Sequence, residues 1–211
     1  MSRVPVRASY DDGYFADKYE LIPSNGYTSF MENMLAHPNI SLETGVDADA
    51  RLSVDGGVLS FDGERFEDAV IYTGSLDKLM RYKYGALPYR TLDFVTKKTA
   101  WPFQPVAVVN YPDSRPYTRT MESGHFYPGN DYNFSRVTYE YPLAYEPDSD
   151  REPYYPIPSE RGAEIYKLYM NDASAARNFY PAGRLGGYRY INMDAAVLDG
   201  LAAAEKAICK N

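Results

Sequence analysis

Ala69-Val70-Ile71-Tyr72-Thr73-Gly74 is the stretch on which the fold turns. Four residues favourable to strands, Val70 to Thr73, run together and stop at a glycine, the pattern of a short buried strand. In an open α/β sheet, a crevice lies just past such a strand end. Upstream, Asp55-Gly56-Gly57 and Asp62-Gly63 bracket Val58-Leu59-Ser60-Phe61, which predicts short hairpin strands. Downstream, Ser75 to Tyr84 reads as a short helix. From Tyr89 the texture changes. Thr91–Thr96, Val106–Tyr111, Tyr117–Glu122 and Arg136–Tyr141 are strand-like runs separated by turns rich in Pro, Gly, Asp and Asn, as in an antiparallel sheet.

Met1 to Asn25, polar and broken by Pro5, Gly13 and Pro23, reads as a loop with one helical turn, and a helix follows. Ser29 and Glu32 have capping-box spacing, followed by the apolar stripe Phe30, Met34 and Leu35. Ile40, Leu42 and Thr44 alternate like a half-buried strand. After the proline-rich stretch Asp148–Pro158, Ser159 caps a helix expected to turn Ile165, Leu168 and Tyr169 inward. Phe179–Gly183 is a short strand or its end. Asn192 or Asp194 caps the last helix, with Val197, Leu201 and Ile208 on one face.

Composition narrows the function. The 211 residues carry 22 Lys+Arg against 29 Asp+Glu, a net charge of −7, which argues against a nucleic-acid footprint. One cysteine excludes a disulfide framework, and two histidines argue against a metal centre. No apolar run reaches membrane-spanning length, and Met1-Ser2-Arg3-Val4-Pro5 lacks a signal-peptide core, so the cytoplasm is the expected compartment. The unusual count is 22 tyrosines against 9 phenylalanines and 1 tryptophan. Packing in a β-rich fold is the plainer reading; a pocket for sugars or planar rings is the functional one. Gly183-Arg184-Leu185-Gly186-Gly187, leading through Asn192 and Asp194 into a helix, suggests close backbone approach and amides suited to an anion.

Read in order, Arg3-Val4-Pro5-Val6-Arg7, Gly26-Tyr27-Thr28, Glu32-Asn33-Met34-Leu35, Tyr72-Thr73-Gly74, Val109-Asn110-Tyr111, Glu152-Pro153-Tyr154-Tyr155-Pro156-Ile157 and Gly183-Arg184-Leu185 resemble the UDP-galactopyranose mutases. That family interconverts UDP-galactopyranose and UDP-galactofuranose, key to galactofuranose and cell-surface polysaccharide, through a reduced-flavin N5–sugar adduct. The resemblance implies an α+β fold: the C-terminal part of a flavin-binding, Rossmann-like α/β domain (residues 19–88 and 173–211) with an inserted antiparallel substrate domain (89–172) and a substrate-side mobile loop (1–18). It implies FAD as cofactor, with no metal and no protein nucleophile. The sequence contains no Gly-x-Gly-x-x-Gly phosphate cradle. The resemblance implies as partners UDP-galactose or UDP-galactofuranose, the missing N-terminal half of the enzyme, and a second copy in a homodimer.

The resemblance also assigns roles to residues. Arg3 and Arg119 map to the two arginines that bracket the substrate diphosphate. Tyr14, Tyr155 and Tyr190 map to tyrosines that bond the diphosphate and sugar. Asn110, Glu140 and Asn192 line the sugar side, although the family often has aspartate where Asn192 stands. Arg184, Arg90, Asn192 and Met193 map to the flavin side. The fragment by itself is expected to be inactive and to lack bound FAD. The alternative is a non-catalytic remnant that binds UDP-sugars without flavin.

Overall fold

A computed structural model describes residues 10, 18–127, 133–147 and 149–209 of the chain. Arg3 and Tyr14 lie outside the described residues. In chain order the elements are α1 (Gly26–Leu35), α2 (Ala48–Arg51), β1 (Leu52–Asp55), β2 (Val58–Phe61), β3 (Glu64–Arg65), β4 (Val70–Tyr72), α3 (Leu76–Leu79), β5 (Tyr89–Thr99), β6 (Val108–Asn110) and β7 (Arg119–Glu122). There follow a 3-10 turn (Ser123–Phe126), β8 (Ser135–Ala144), β9 (Tyr155–Pro156), α4 (Glu160–Ala175), β10 (Phe179–Pro181), α5 (Gly183–Gly186) and α6 (Met193–Cys209). The chain divides into two units: Met1–Thr44 with Phe94–Tyr141, and Gly45–Asp93 with Pro142–Asn211.

The first unit carries the antiparallel strands. β6 pairs with β7, and β7 with β8. Thr96 of β5 meets Thr138 of β8 through their hydroxyls at 2.9 Å. Buried polar side chains brace this sheet. Glu122 is 0% exposed and accepts the Phe103 and Gln104 amides, each at 2.9 Å. His125 Nε2 stands 2.8 Å from the Gln104 carbonyl and 3.2 Å from the same carboxylate. Burial by itself would raise the Glu122 pKa; the amides and the nearby His125 outweigh it and hold the carboxyl below the usual range. One face of the sheet is a tyrosine layer, with Tyr117 edge-on to Tyr111, Tyr139 and Tyr141 at 5.0–5.9 Å.

α1 belongs to the first unit and buries none of its residues. It begins at Gly26, so Ser29 sits inside the helix rather than capping it, a correction to the capping-box reading. The cause is the turn Pro23–Gly26, closed by the Gly26 amide on the Pro23 carbonyl at 3.0 Å, which starts the helix one turn early. Ile40, Leu42 and Thr44 form no strand, because no described neighbour offers them a ladder.

The second unit holds the apolar core. Leu59, Tyr72, Leu76, Leu79, Leu87, Tyr89, Tyr169, Ala173 and Phe179 pack together in one buried cluster. The glycine turns act as expected: β1 and β2 form an antiparallel hairpin around Gly56 and Gly57, both at positive φ. β4 pairs with β10 in parallel, in the register Val70↔Phe179 to Tyr72↔Pro181. β9 pairs with the first residues of β5, Tyr89↔Pro156 and Arg90↔Tyr155. Ser159 caps α4, accepting the Gly162 amide at 3.0 Å. Tyr169 of α4 is 0% exposed and Ile165 packs part-buried against the core, as expected, whereas Leu168 is 45% exposed and turns outward.

α6 packs through its smallest side chains. Its buried residues are Ala203 and Ala207, against Tyr180 of β10 and Ala182 just after it. Val197, Leu201 and Ile208 are 55–74% exposed. Small side chains let the helix approach the strands closely, and the larger apolar residues fall on a second face.

Candidate functional site

Two clusters gather the described candidate residues, one in each unit. In the first unit, antiparallel register sets Asn110 opposite Arg119 and Arg119 opposite Glu140. Directly opposed residues on neighbouring strands project to the same face. Arg119 Nε donates to Asn110 Oδ1 at 2.9 Å, and its Nη1 lies 3.4 Å from Glu140 Oε2. Glu140's side chain is 13% exposed and Arg119's 40%. Thus the guanidinium is oriented by two acceptors at its base while part of its fork remains open to solvent. Such an arrangement suits recognition of an oxyanion by a planar, pre-oriented cation. Thr120 and Tyr139, one residue along, pair on the opposite face, where the tyrosine layer lies.

In the second unit the cluster is built around Arg184. Gly183 opens α5 at φ +76° and gives its amide to Asp199 Oδ2 at 2.7 Å. The other Asp199 oxygen takes Arg189 Nη2 at 2.6 Å. Burial alone would raise the Asp199 pKa; Arg189 and the Gly183 amide overcome it and hold the carboxyl low. Arg184 Nε and Nη2 both donate to the Ile191 carbonyl, at 3.1 and 2.6 Å, and Nη1 reaches the Tyr154 carbonyl at 3.3 Å. Its guanidinium also lies 4.9 Å from the Tyr190 ring centre, and the rings of Tyr190 and Tyr155 meet edge-on at 5.2 Å.

Arg90 enters the same unit through its backbone, whose carbonyl accepts the Tyr154 amide at 2.9 Å. Asn192 stands before α6 and accepts the Ala196 amide on its carbonyl at 2.9 Å. Met193, the first residue of α6, is 62% exposed.

Sequence reading missed several supporting residues. Asp77 is 1% exposed and accepts the Leu87 amide at 2.8 Å, which fixes the chain just ahead of Pro88-Tyr89-Arg90. Burial pushes its carboxyl pKa up. Tyr188 donates to the Pro88 carbonyl at 3.1 Å; burial and the nearby Asp77 push its pKa up to about 12. Tyr72 donates to Asp49 and to the Ser75 carbonyl. An acid in the first turn of α3 was the visible signal for Asp77; nothing local marked Asp199. Among the described residues, no group of three His, Cys, Asp or Glu side chains could hold a metal ion.

A family model described as UDP-galactopyranose mutase matches residues 1–190. The chain belongs to the UDP-galactopyranose mutase family. Among its relatives, the dTDP-fucopyranose mutase of Escherichia coli is 34% identical over 213 residues, spanning 100% of this chain and 55% of that protein. A probable UDP-galactopyranose mutase of Klebsiella pneumoniae is 35% identical over 209 residues, 98% of this chain and 50% of that protein. The chain therefore spans about half the length of the curated relatives it matches. A crystal structure of reduced UDP-galactopyranose mutase shares the fold, with a TM-score of 0.58 at 16% identity over 82% of this chain and 48% of that one. The chain is a partial mutase-like region of mixed helix and strand with an antiparallel sheet.

Proposed function

We propose that this chain forms the substrate-diphosphate side of a mutase that interconverts UDP-galactopyranose and UDP-galactofuranose. The observation that carries the reading is Arg119, seated between Asn110 and Glu140 with part of its fork open. In this reading Arg119 binds the diphosphate, and Asn110 and Glu140 aim it. Tyr155 and Tyr190 contact the diphosphate and sugar. By the family likeness, Arg3 and Tyr14 are proposed as further diphosphate contacts and Asn192 as a sugar contact. Since one relative is named for a dTDP-sugar, the uridine base is the part of the assignment that most needs measurement.

The family is flavin-dependent. The residues present do not build a flavin site by themselves. No Gly-x-Gly-x-x-Gly turn occurs in the sequence, and three Arg184 donors are already engaged by backbone carbonyls. Arg184, Arg90, Asn192 and Met193 are proposed as the border of a FAD site whose phosphate cradle the rest of the mutase supplies. Two features support a missing companion segment. α1 buries none of its residues, and α6 exposes Val197, Leu201 and Ile208. Such faces normally find a partner. No helix of the described residues is long and apolar enough to cross a membrane.

The test is calorimetric titration of the purified chain with UDP. Loss of one charge-assisted phosphate contact costs about 1.5–3 kcal/mol. Arg119→Ala should therefore weaken UDP binding roughly tenfold to a hundredfold. Binding unchanged in Arg119→Ala, or no UDP binding by the parent chain, refutes the assignment. A parallel titration with dTDP decides the base.

A further inference from the structure

Arg184 spends its donors on the protein. Nε and Nη2 converge on one oxygen, the Ile191 carbonyl, at 3.1 and 2.6 Å, which occupies one of the two bidentate edges of the guanidinium. Nη1 reaches the Tyr154 carbonyl at 3.3 Å. These carbonyls belong to segments far apart in sequence: the one that carries Tyr155 into β9, and the one that carries Tyr190 toward α6. The guanidinium also sits 4.9 Å from the Tyr190 ring centre, and the two tyrosine rings meet at 5.2 Å. Behind it, Asp199 holds the Gly183 amide at 2.7 Å, which fixes the positive-φ turn from which Arg184 projects.

We propose that Arg184 is a positioning residue that staples the Tyr154–Tyr155 strand to the Tyr190–Ile191 loop and so sets the spacing of the Tyr155–Tyr190 pair. Its importance for ligand binding then runs through those tyrosines. A lysine keeps the charge but presents a compact ammonium in place of a planar fork, and it cannot reproduce the bridge to both carbonyls. That these tyrosines touch a sugar diphosphate rests on the proposed function; that Arg184 sets their spacing does not.

The experiment is NMR on the full chain, with no ligand and then with UDP. In the parent, the Arg184 Nε proton should exchange slowly and show a coupling across the hydrogen bond to the Ile191 carbonyl carbon. A freely exchanging Nε proton overturns the proposal without any variant. Cross-relaxation between the Tyr155 and Tyr190 rings, assigned with Tyr155→Phe and Tyr190→Phe, should be present in the parent and lost in Arg184→Lys. The Tyr111–Tyr117 contact serves as the control and should persist. Ring contact retained in Arg184→Lys overturns the proposal. With UDP as the probe, Arg184→Lys and the doubly substituted Tyr155→Phe/Tyr190→Phe chain should weaken binding, and combining them should weaken it no further. Additive losses place Arg184 on the ligand itself and also overturn the proposal. Absence of UDP binding in the parent strikes the proposed function alone, and the ligand-free signals still decide the role of Arg184.

Discussion

Replacing Glu122 by glutamine tests whether a buried carboxylate holds together the strands that carry Asn110 and Arg119. Glu122 is 0% exposed, with Oε1 accepting the Phe103 amide and Oε2 the Gln104 amide, both at 2.9 Å. Glutamine has nearly the same shape, so no cavity forms and the change is purely polar. One of the two amides keeps an oxygen to bond. The other faces an NH2 group and is left unpaired. Losing one charge-assisted bond and weakening its companion costs about 3 kcal/mol. For a chain of this size that lowers Tm by roughly 6–12 °C. The assay is thermal unfolding followed by circular dichroism near neutral pH. The comparison is Glu140→Gln, whose longer 3.4 Å contact to a part-exposed Arg119 should cost less than about 1 kcal/mol. A Glu122→Gln variant that melts with the parent refutes the anchoring role. There is an internal check in pH. The Glu122 pKa is lowered in the fold, so its contribution is present above the usual carboxylate value and is lost as pH falls through the folded value. The gap between parent and variant should therefore close in acid.

Three further outcomes follow from the second unit. Gly183→Ala should destabilise by about 1–2 kcal/mol in urea titration, because φ is +76° while the nearest atoms to an added Cβ, on Thr73, leave ordinary room at 3.8 Å. Tyr169→Phe should cost about 2–3 kcal/mol with the ring packing kept, since the hydroxyl accepts the Tyr84 amide at 3.0 Å and donates to the Gly85 carbonyl at 2.8 Å. Asp199 and Asp77 should leave opposite marks on stability measured against pH. Asp199→Asn should flatten the acid limb, because the Asp199 pKa is lowered and its stabilisation disappears as pH falls. Asp77→Asn should gain on the parent as pH rises above the usual carboxylate value, because burial raises the Asp77 pKa and penalises the ionised form.

Local chemistry made much of this fold legible. Glycines at positive φ marked the β1–β2 hairpin, Ser159 marked the start of α4, and the run at Val70–Tyr72 marked β4. The four strand-like runs after Tyr89 correspond to β5, β6, β7 and β8. What failed was any inference that depended on which apolar surface wins burial. In α6, Val197, Leu201 and Ile208 share one face as read, but that reading did not show that the close-packed face belongs to Ala203 and Ala207. Alternation at Ile40–Thr44 mimicked a strand, but a strand exists only where a neighbour completes its ladder. At the candidate site, family likeness picked out Asn110, Arg119 and Glu140 separately. Their contact depends on β6–β7–β8 register, which turn residues alone did not determine. Asp199 was invisible because its partner, the Gly183 amide, is a backbone group selected by the tertiary fold.

The parallel pairing of β4 with β10 joins residues more than one hundred positions apart. On the ribosome, Tyr72, Leu76 and Leu79 emerge first, and the α4 and β10 residues that cover them, Tyr169, Ala173 and Phe179, arrive only after the whole 94–141 stretch has been made. Chains are synthesised from the N-terminus at about 5–20 residues per second. For several seconds the nascent polypeptide therefore carries this part of the core without the α4 and β10 residues that cover it. By the same logic, a stop codon between Leu79 and Tyr169 leaves Tyr72, Leu76 and Leu79 without the α4 and β10 residues that cover them.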